Sequence, residues 1–100
     1  ETFAPIVSIV SYETLDDAIA HVNQSNLGLN VGIYTNVLTD AMRAADELEA
    51  GAVIINDIPT FRVDNMPYGG VKMSGYGKEG IKYAVEEMTS LKLITIKTTF

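Results

Sequence analysis

Residues 6–11 read Ile-Val-Ser-Ile-Val-Ser, a β-branched run that predicts a buried strand. Thr14 then offers an N-cap hydroxyl with Asp17 three residues on, a near relative of the capping box. Leu15, Ala18, Ile19 and Val22 follow at helical spacing, and Ser25-Asn26 and Gly28 mark the end of that helix. Residues 29–35 alternate and predict a second strand. A second helix opens at Thr35-Asn36 or Thr39, buries Leu38, Ala41, Met42, Ala45 and Leu48, and stops at Gly51. Residues 52–56 are apolar nearly throughout, as a strand covered on both faces should be.

From Asp57 to Gly80 the periodicity breaks into a loop holding Pro59, Pro67, Gly69-Gly70, Gly75, Gly77 and Gly80. Structureless loops of roughly 20 residues are uncommon in small domains and tend to be functional. Ile81, Ala84, Val85 and Met88 then form a third helical stripe, and residues 91–97 alternate as a half-buried strand. The order β-α-β-α-β-loop-α-β predicts an α/β fold with a mainly parallel sheet. An alternating terminal strand after a helix is suited to pairing away from its own sheet, with a second subunit as one partner.

Charge narrows the functions. Seven Lys and Arg stand against thirteen Asp and Glu, a net charge of −6. Phosphate binding needs a concentrated basic face, so no nucleic acid is expected as partner. The longest apolar runs are short, such as Ala52 to Ile55, so no membrane span is expected. Cysteine is absent, which excludes a disulfide scaffold, a cysteine zinc site and a cysteine nucleophile within these residues. A reducing cytoplasm suits that composition. The chain opens Glu1-Thr2-Phe3 without Met, directly ahead of a strand-like run, and reads as a piece of a longer protein.

Four features carry candidate chemistry. Residues 75–80 spell Gly-x-Gly-x-x-Gly ahead of a helix, a pattern that can hold a dinucleotide pyrophosphate. The context is wrong, because no buried strand directly precedes it and no acidic residue follows about 20 residues on. His21 is the only histidine and lacks a Ser or Cys partner pattern, so it reads as a boundary residue. Asp16-Asp17, Asp46, Glu47, Glu49 and Glu86-Glu87 read as solvated helix faces, and no metal site is expected. Phe61-Arg62, flanked by Pro59 and Pro67, has two readings. Arg62 could bind a carboxylate or phosphate in a pocket, or form a loop ion pair with Asp57 or Asp64.

With these residues assembled, the chain resembles the C-terminal part of an aldehyde dehydrogenase over nearly its whole length. Residues 1–5, Glu-Thr-Phe-Ala-Pro, match that family's Glu-x-Phe-Gly-Pro element, with Ala4 departing from the usual Gly. The likeness continues through residues 12–18, 26–29, 48–51 and 55–57. It is strongest over residues 66–80, Met-Pro-Tyr-Gly-Gly-Val-Lys-Met-Ser-Gly-Tyr-Gly-Lys-Glu-Gly, close to the family's Pro-Phe-Gly-Gly-x-Lys-x-Ser-Gly-x-Gly-Arg-Glu run.

The resemblance implies oxidation of an aldehyde to a carboxylic acid with NAD or NADP. A cysteine thiolate attacks the aldehyde, a hydride passes to the nicotinamide, and a glutamate-activated water hydrolyses the thioester. Family members carry that cysteine, that glutamate and the coenzyme domain upstream of the stretch matched here. Glu1 takes the place of the residue that accepts the nicotinamide-ribose hydroxyls, and Phe3 that of the aromatic beside it. Phe61 and Tyr68 fall where the family lines its aldehyde tunnel, so Phe3 and Tyr68 should face one cleft. Glu79 matches a glutamate that relays protons in some members; the alternative is a buried structural carboxylate paired with a Lys. Lys72 and Ser74 match loop architecture. Residues 1–90 thus resemble part of the catalytic domain, and residues 91–100 the oligomerisation strand and tail, with Leu91 to Lys97 building a homo-oligomer. A reading from another class is a non-catalytic α/β interaction or assembly module.

Overall fold

Helix α1 (Leu15–Asn23) begins where Thr14 and Asp17 close a reciprocal capping box. The Thr14 hydroxyl accepts the Asp17 N–H at 3.1 Å, and the Asp17 carboxylate accepts the Thr14 N–H at 3.2 Å. Two orphan donors of the first turn are thereby satisfied. The computed structural model describes residues 2–99.

After α1 come β1 (Leu27–Gly28), β2 (Asn30–Ile33), helix α2 (Leu38–Glu47) and β3 (Ala52–Ile55). Strands β2 and β3 pair in parallel, from Asn30 opposite Ala52 to Ile33 opposite Ile55. A parallel pair needs a crossover, and α2 supplies it. Val37 is the N-cap of α2 and makes no side-chain cap bond. The threonine expected as the cap acts two residues earlier: the Thr35 hydroxyl accepts the Val37 N–H at 3.1 Å. Asn56 ends β3 with φ of +59° and accepts the Thr35 N–H through its side chain at 2.9 Å. Asn tolerates this left-handed backbone better than most residues.

The core lies where α1 and α2 cover this ladder. Ile19, Ala44 and Leu48 are buried, with Leu15, Val31, Ile33 and Val53 packed around them. Burying a side chain the size of Ile19 or Leu48 contributes about 1.5–3 kcal/mol. Asn23 fastens the helix ends together, donating to the Glu47 carbonyl at 2.8 Å and accepting the Glu49 N–H at 2.9 Å. Arg43 bridges the helices as well, pairing with Glu47 on its own helix and Asp16 on α1. Those two carboxylates, Glu47 first, push the guanidinium pKa upward.

The flanks differ from the expectation. Among the described residues, neither residues 6–11 nor residues 91–97 join a ladder. Ile9 is 92% exposed and Leu93 is 88% exposed. The α3 stripe, in a helix spanning Ile81–Met88, is also open, with Ile81, Val85 and Met88 exposed. Leu38 and Met42 of α2 stay exposed too, because the core takes only the Ala41, Ala44 and Leu48 edge of that helix. The α/β class holds, but the first and last strands of the expected order are missing and the parallel sheet here has two strands. A run such as Ile6 to Ser11 makes a strand only where another strand accepts its backbone groups. The accessible surface is 8614 Å², against about 5500 Å² for a folded monomer of this mass. The radius of gyration is 19.1 Å, against about 13 Å for a compact chain of this length. No helix among the described residues is long and apolar enough to cross a membrane.

Candidate functional site

The long loop is irregular but firmly attached. Its strand β4 (Val71–Lys72) pairs antiparallel with β1, Leu27 opposite Lys72 and Gly28 opposite Val71. Lys72 adopts φ of +56°, a costly backbone for a non-glycine residue. Its ammonium offsets that cost. Lys72 Nζ donates to the Asn23 carbonyl at 2.8 Å and the Ser25 carbonyl at 3.1 Å, and pairs with Glu49 at 2.6 Å. A cation is favoured there, because the carbonyls at a helix C-terminus carry partial negative charge. The Met73 N–H donates to the Asn26 carbonyl at 2.9 Å, and the Ser74 hydroxyl accepts the Gly28 N–H at 2.9 Å. Lys72 and Ser74 thus do the architectural work expected of them. Asn23, through its carbonyl, and Glu49 complete that attachment; Glu49 reads from the sequence only as part of a solvated helix face.

The glycines serve close approach and turning. A Cβ at Gly51 would lie 1.8 Å from the Gly69 carbonyl oxygen, so only glycine lets the loop meet the end of the α2–β3 connection. Lys78 Nζ donates to the same Gly69 carbonyl at 2.8 Å. Gly80, with φ of +123°, turns the chain into α3. The Gly75-x-Gly77 turn faces the Glu87 carboxylate, one oxygen of which lies 3.0 Å from where a Gly77 Cβ would sit. An acidic side chain in that place opposes a pyrophosphate, in keeping with the expectation that this motif is a turn.

Within this frame the loop gathers three of the candidate residues. Tyr68 and Glu79 form a backbone bridge: the Tyr68 N–H donates to the Glu79 carbonyl at 3.2 Å, and the Glu79 N–H donates to the Tyr68 carbonyl at 2.5 Å. Arg62 lies over the Tyr68 ring, its guanidinium carbon 4.5 Å from the centroid. That is well within the range of a cation–π contact. Arg62 makes no ion pair with Asp57 or Asp64; Asp57 instead accepts the Ile58 N–H at 2.7 Å. The guanidinium therefore keeps its fork of donors free of any carboxylate among the described residues. Phe61 sits beside Arg62 with its ring half in solvent and its N–H on the Ile58 carbonyl at 3.0 Å. Tyr68 also lines a cavity of about 270 Å³ with Leu29, Ser74, Lys78 and Glu79, whose walls include neither Phe61 nor Arg62.

The remaining expectations meet different outcomes. Glu79 is exposed and makes no ion pair among the described residues, so the buried, Lys-paired alternative is not what forms. Glu1 lies outside the described residues. Phe3 is 92% exposed, with φ of +39°. It is not packed into a cleft with Tyr68, because the segment that carries it has no ladder to hold it there. Phe3 alone makes no nicotinamide cradle. His21 is exposed; it helps line a cavity of about 500 Å³ between α1 and residues 8–13, and a second one of about 450 Å³ that Glu49 and the loop's Ser74 also line. The described residues include no group of three that could hold a metal ion.

The pairing of an aromatic-backed arginine with the glycine turn coincides with a match to the model of the Aldehyde dehydrogenase family over residues 1–94. The chain belongs to the aldehyde dehydrogenase family. It is 53% identical over 96 residues to a 3-sulfolactaldehyde dehydrogenase of Priestia aryabhattai, covering 96% of this chain and 20% of that protein. Among solved structures, it is similar to a glyceraldehyde-3-phosphate dehydrogenase of Methanocaldococcus jannaschii complexed with NADP. That likeness has 48% identity and a TM-score of 0.73, over 77% of this chain and 17% of the other. A salicylaldehyde dehydrogenase of Pseudomonas putida G7, complexed with salicylaldehyde, matches 100% of this chain and 21% of its own length at 30% identity, with a TM-score of 0.85. The chain spans about a fifth of the curated relative's length.

Proposed function

We propose that the full-length protein is an NAD(P)-dependent dehydrogenase for an aldehyde that carries an anionic group, and that this segment supplies the anion's binding residue. The reaction converts aldehyde, water and NAD(P)+ into carboxylic acid, NAD(P)H and a proton. The observation that carries the reading is Arg62, stacked on Tyr68 with its donors unclaimed by Asp57 or Asp64. A planar, permanently charged fork of this kind suits a carboxylate, sulfonate or phosphate. The names of two relatives point the same way: 3-sulfolactaldehyde carries a sulfonate and glyceraldehyde-3-phosphate a phosphate.

The other roles follow the family. Phe61 and Tyr68 line the aldehyde's approach, Glu79 passes a proton near it, and Glu1 and Phe3 meet the nicotinamide ribose. NAD or NADP binds mainly outside these residues. Residues 1–90 belong to the catalytic domain and residues 91–100 to an oligomerisation arm, whose open apolar positions suit a second copy. A reducing cytoplasm suits a thiolate nucleophile.

The test is Arg62→Ala in the full-length enzyme, assayed with a sulfonate- or phosphate-bearing aldehyde and with a neutral aldehyde of similar size. Charged hydrogen bonds of this kind are worth about 1.5–3 kcal/mol, so kcat/KM for the anionic substrate should fall about 10- to 100-fold and that for the neutral one far less. Equal loss for both, or none for either, contradicts the reading.

A further inference from the structure

We infer that Tyr68 is a positioning residue for anion selectivity: its ring is the shelf that fixes the Arg62 guanidinium in the orientation that meets the substrate's charge. The inference rests on the anionic-aldehyde reading of Arg62 and adds a residue to it. Three observations carry it. The guanidinium carbon lies 4.5 Å from the Tyr68 centroid, and no carboxylate among the described residues holds Arg62 instead. An unheld arginine side chain samples many rotamers, and ordering one costs free energy that binding must repay. Tyr68 is itself immobilised: its N–H and carbonyl are both engaged by Glu79, and the adjacent Gly69 carbonyl is held by Lys78.

The shelf thus transmits the rigidity of the glycine turn to a side chain on an irregular segment. With its carbon over the ring face, the guanidinium still has five N–H donors to offer an anion. Nothing in this geometry requires the Tyr68 hydroxyl; the ring face suffices.

The readout is the ratio of kcat/KM for an anionic aldehyde to that for a neutral one of similar size, measured on the full-length enzyme. A change in tunnel shape or stability moves both substrates, whereas loss of the shelf moves the ratio. Tyr68→Leu should lower the ratio about three- to tenfold, the range of cation–π energies between exposed and partly desolvated sites. Tyr68→Phe should hold it within about twofold. In an Arg62→Ala background, Tyr68→Leu should change the ratio no further, because a positioning residue acts only through its partner.

If Arg62→Ala lowers the ratio but Tyr68→Leu does not, the shelf is refuted while the anion reading stands. If Arg62→Ala leaves the ratio untouched, the anion reading fails and the shelf with it. Should Tyr68→Leu not fold, Tyr68→Met tests the same point, since it fills much of the ring's volume but offers no π face to the cation. A wild-type ratio in that variant overturns the inference.

Discussion

Two irregular regions of this chain face opposite fates. Residues 56–80 contain almost no regular structure, yet they are fastened by Lys72, Ser74, Lys78 and Tyr68 to fixed carbonyls and N–H groups. Residues 4–13 and 89–99 have the more strand-like sequence, yet they pair with nothing described and hold their Val, Ile and Leu side chains in solvent. Regular patterning does not order a segment by itself. A strand's hydrogen bonds must be met from elsewhere, whereas a turn with well-placed Gly, Lys and Ser meets its own through a nearby scaffold.

The sharpest way to break the attached region is Gly51→Ala. Its Cβ would sit 1.8 Å from the Gly69 carbonyl oxygen and 2.9 Å from the Leu29 carbonyl oxygen, both backbone. Overpacking that no rotamer can relieve should cost about 3 kcal/mol, read as a lower midpoint in urea unfolding. Leu48→Ala removes a buried side chain that joins both helices to the ladder, and should cost about 2–3 kcal/mol in the same measurement. Lys72→Met keeps the stem but deletes three polar contacts. It should cost about 1–2 kcal/mol and speed amide exchange at Gly28 and Met73, which sit in or beside the β1–β4 pair. Thr14→Ala should cost about 1 kcal/mol by removing the cap of α1. At the small end, Leu93→Ser should shift the stability of the 100-residue chain by less than about 0.5 kcal/mol, because that side chain is already in water. If Leu93→Ser proves costly while Lys72→Met does not, the contrast between the two regions is inverted.

Much of the attached half is legible from residues alone. The capping box at Thr14 and Asp17, the β2–α2–β3 crossover and the turn at Gly75 to Gly80 follow from local chemistry, which a sequence states directly. The α2 face is legible only in part, since periodicity marks Leu38 and Met42 as apolar without saying that nothing here covers them. The open fate of Ile6 to Ser11 and Leu91 to Lys97 depends on partners that no local pattern encodes. At the site, the Arg62–Asp57 and Arg62–Asp64 pairs were plausible by proximity along the chain. The contact that forms is with Tyr68, six residues away in an irregular path, where spacing predicts nothing. Phe3 is the counterpart: its role rests on family resemblance, and its placement needs the support that residues 4–13 lack.

The central claim is that Arg62, held on Tyr68, receives the anionic end of an aldehyde. A crystal structure of the full-length enzyme with an anion-bearing aldehyde or its acid product tests it most directly. The account predicts a substrate carboxylate, sulfonate or phosphate oxygen about 2.7–2.9 Å from a guanidinium nitrogen of Arg62, with that guanidinium still over the Tyr68 ring. An anion bound elsewhere, with Arg62 turned to solvent or paired with Asp57 or Asp64, contradicts it.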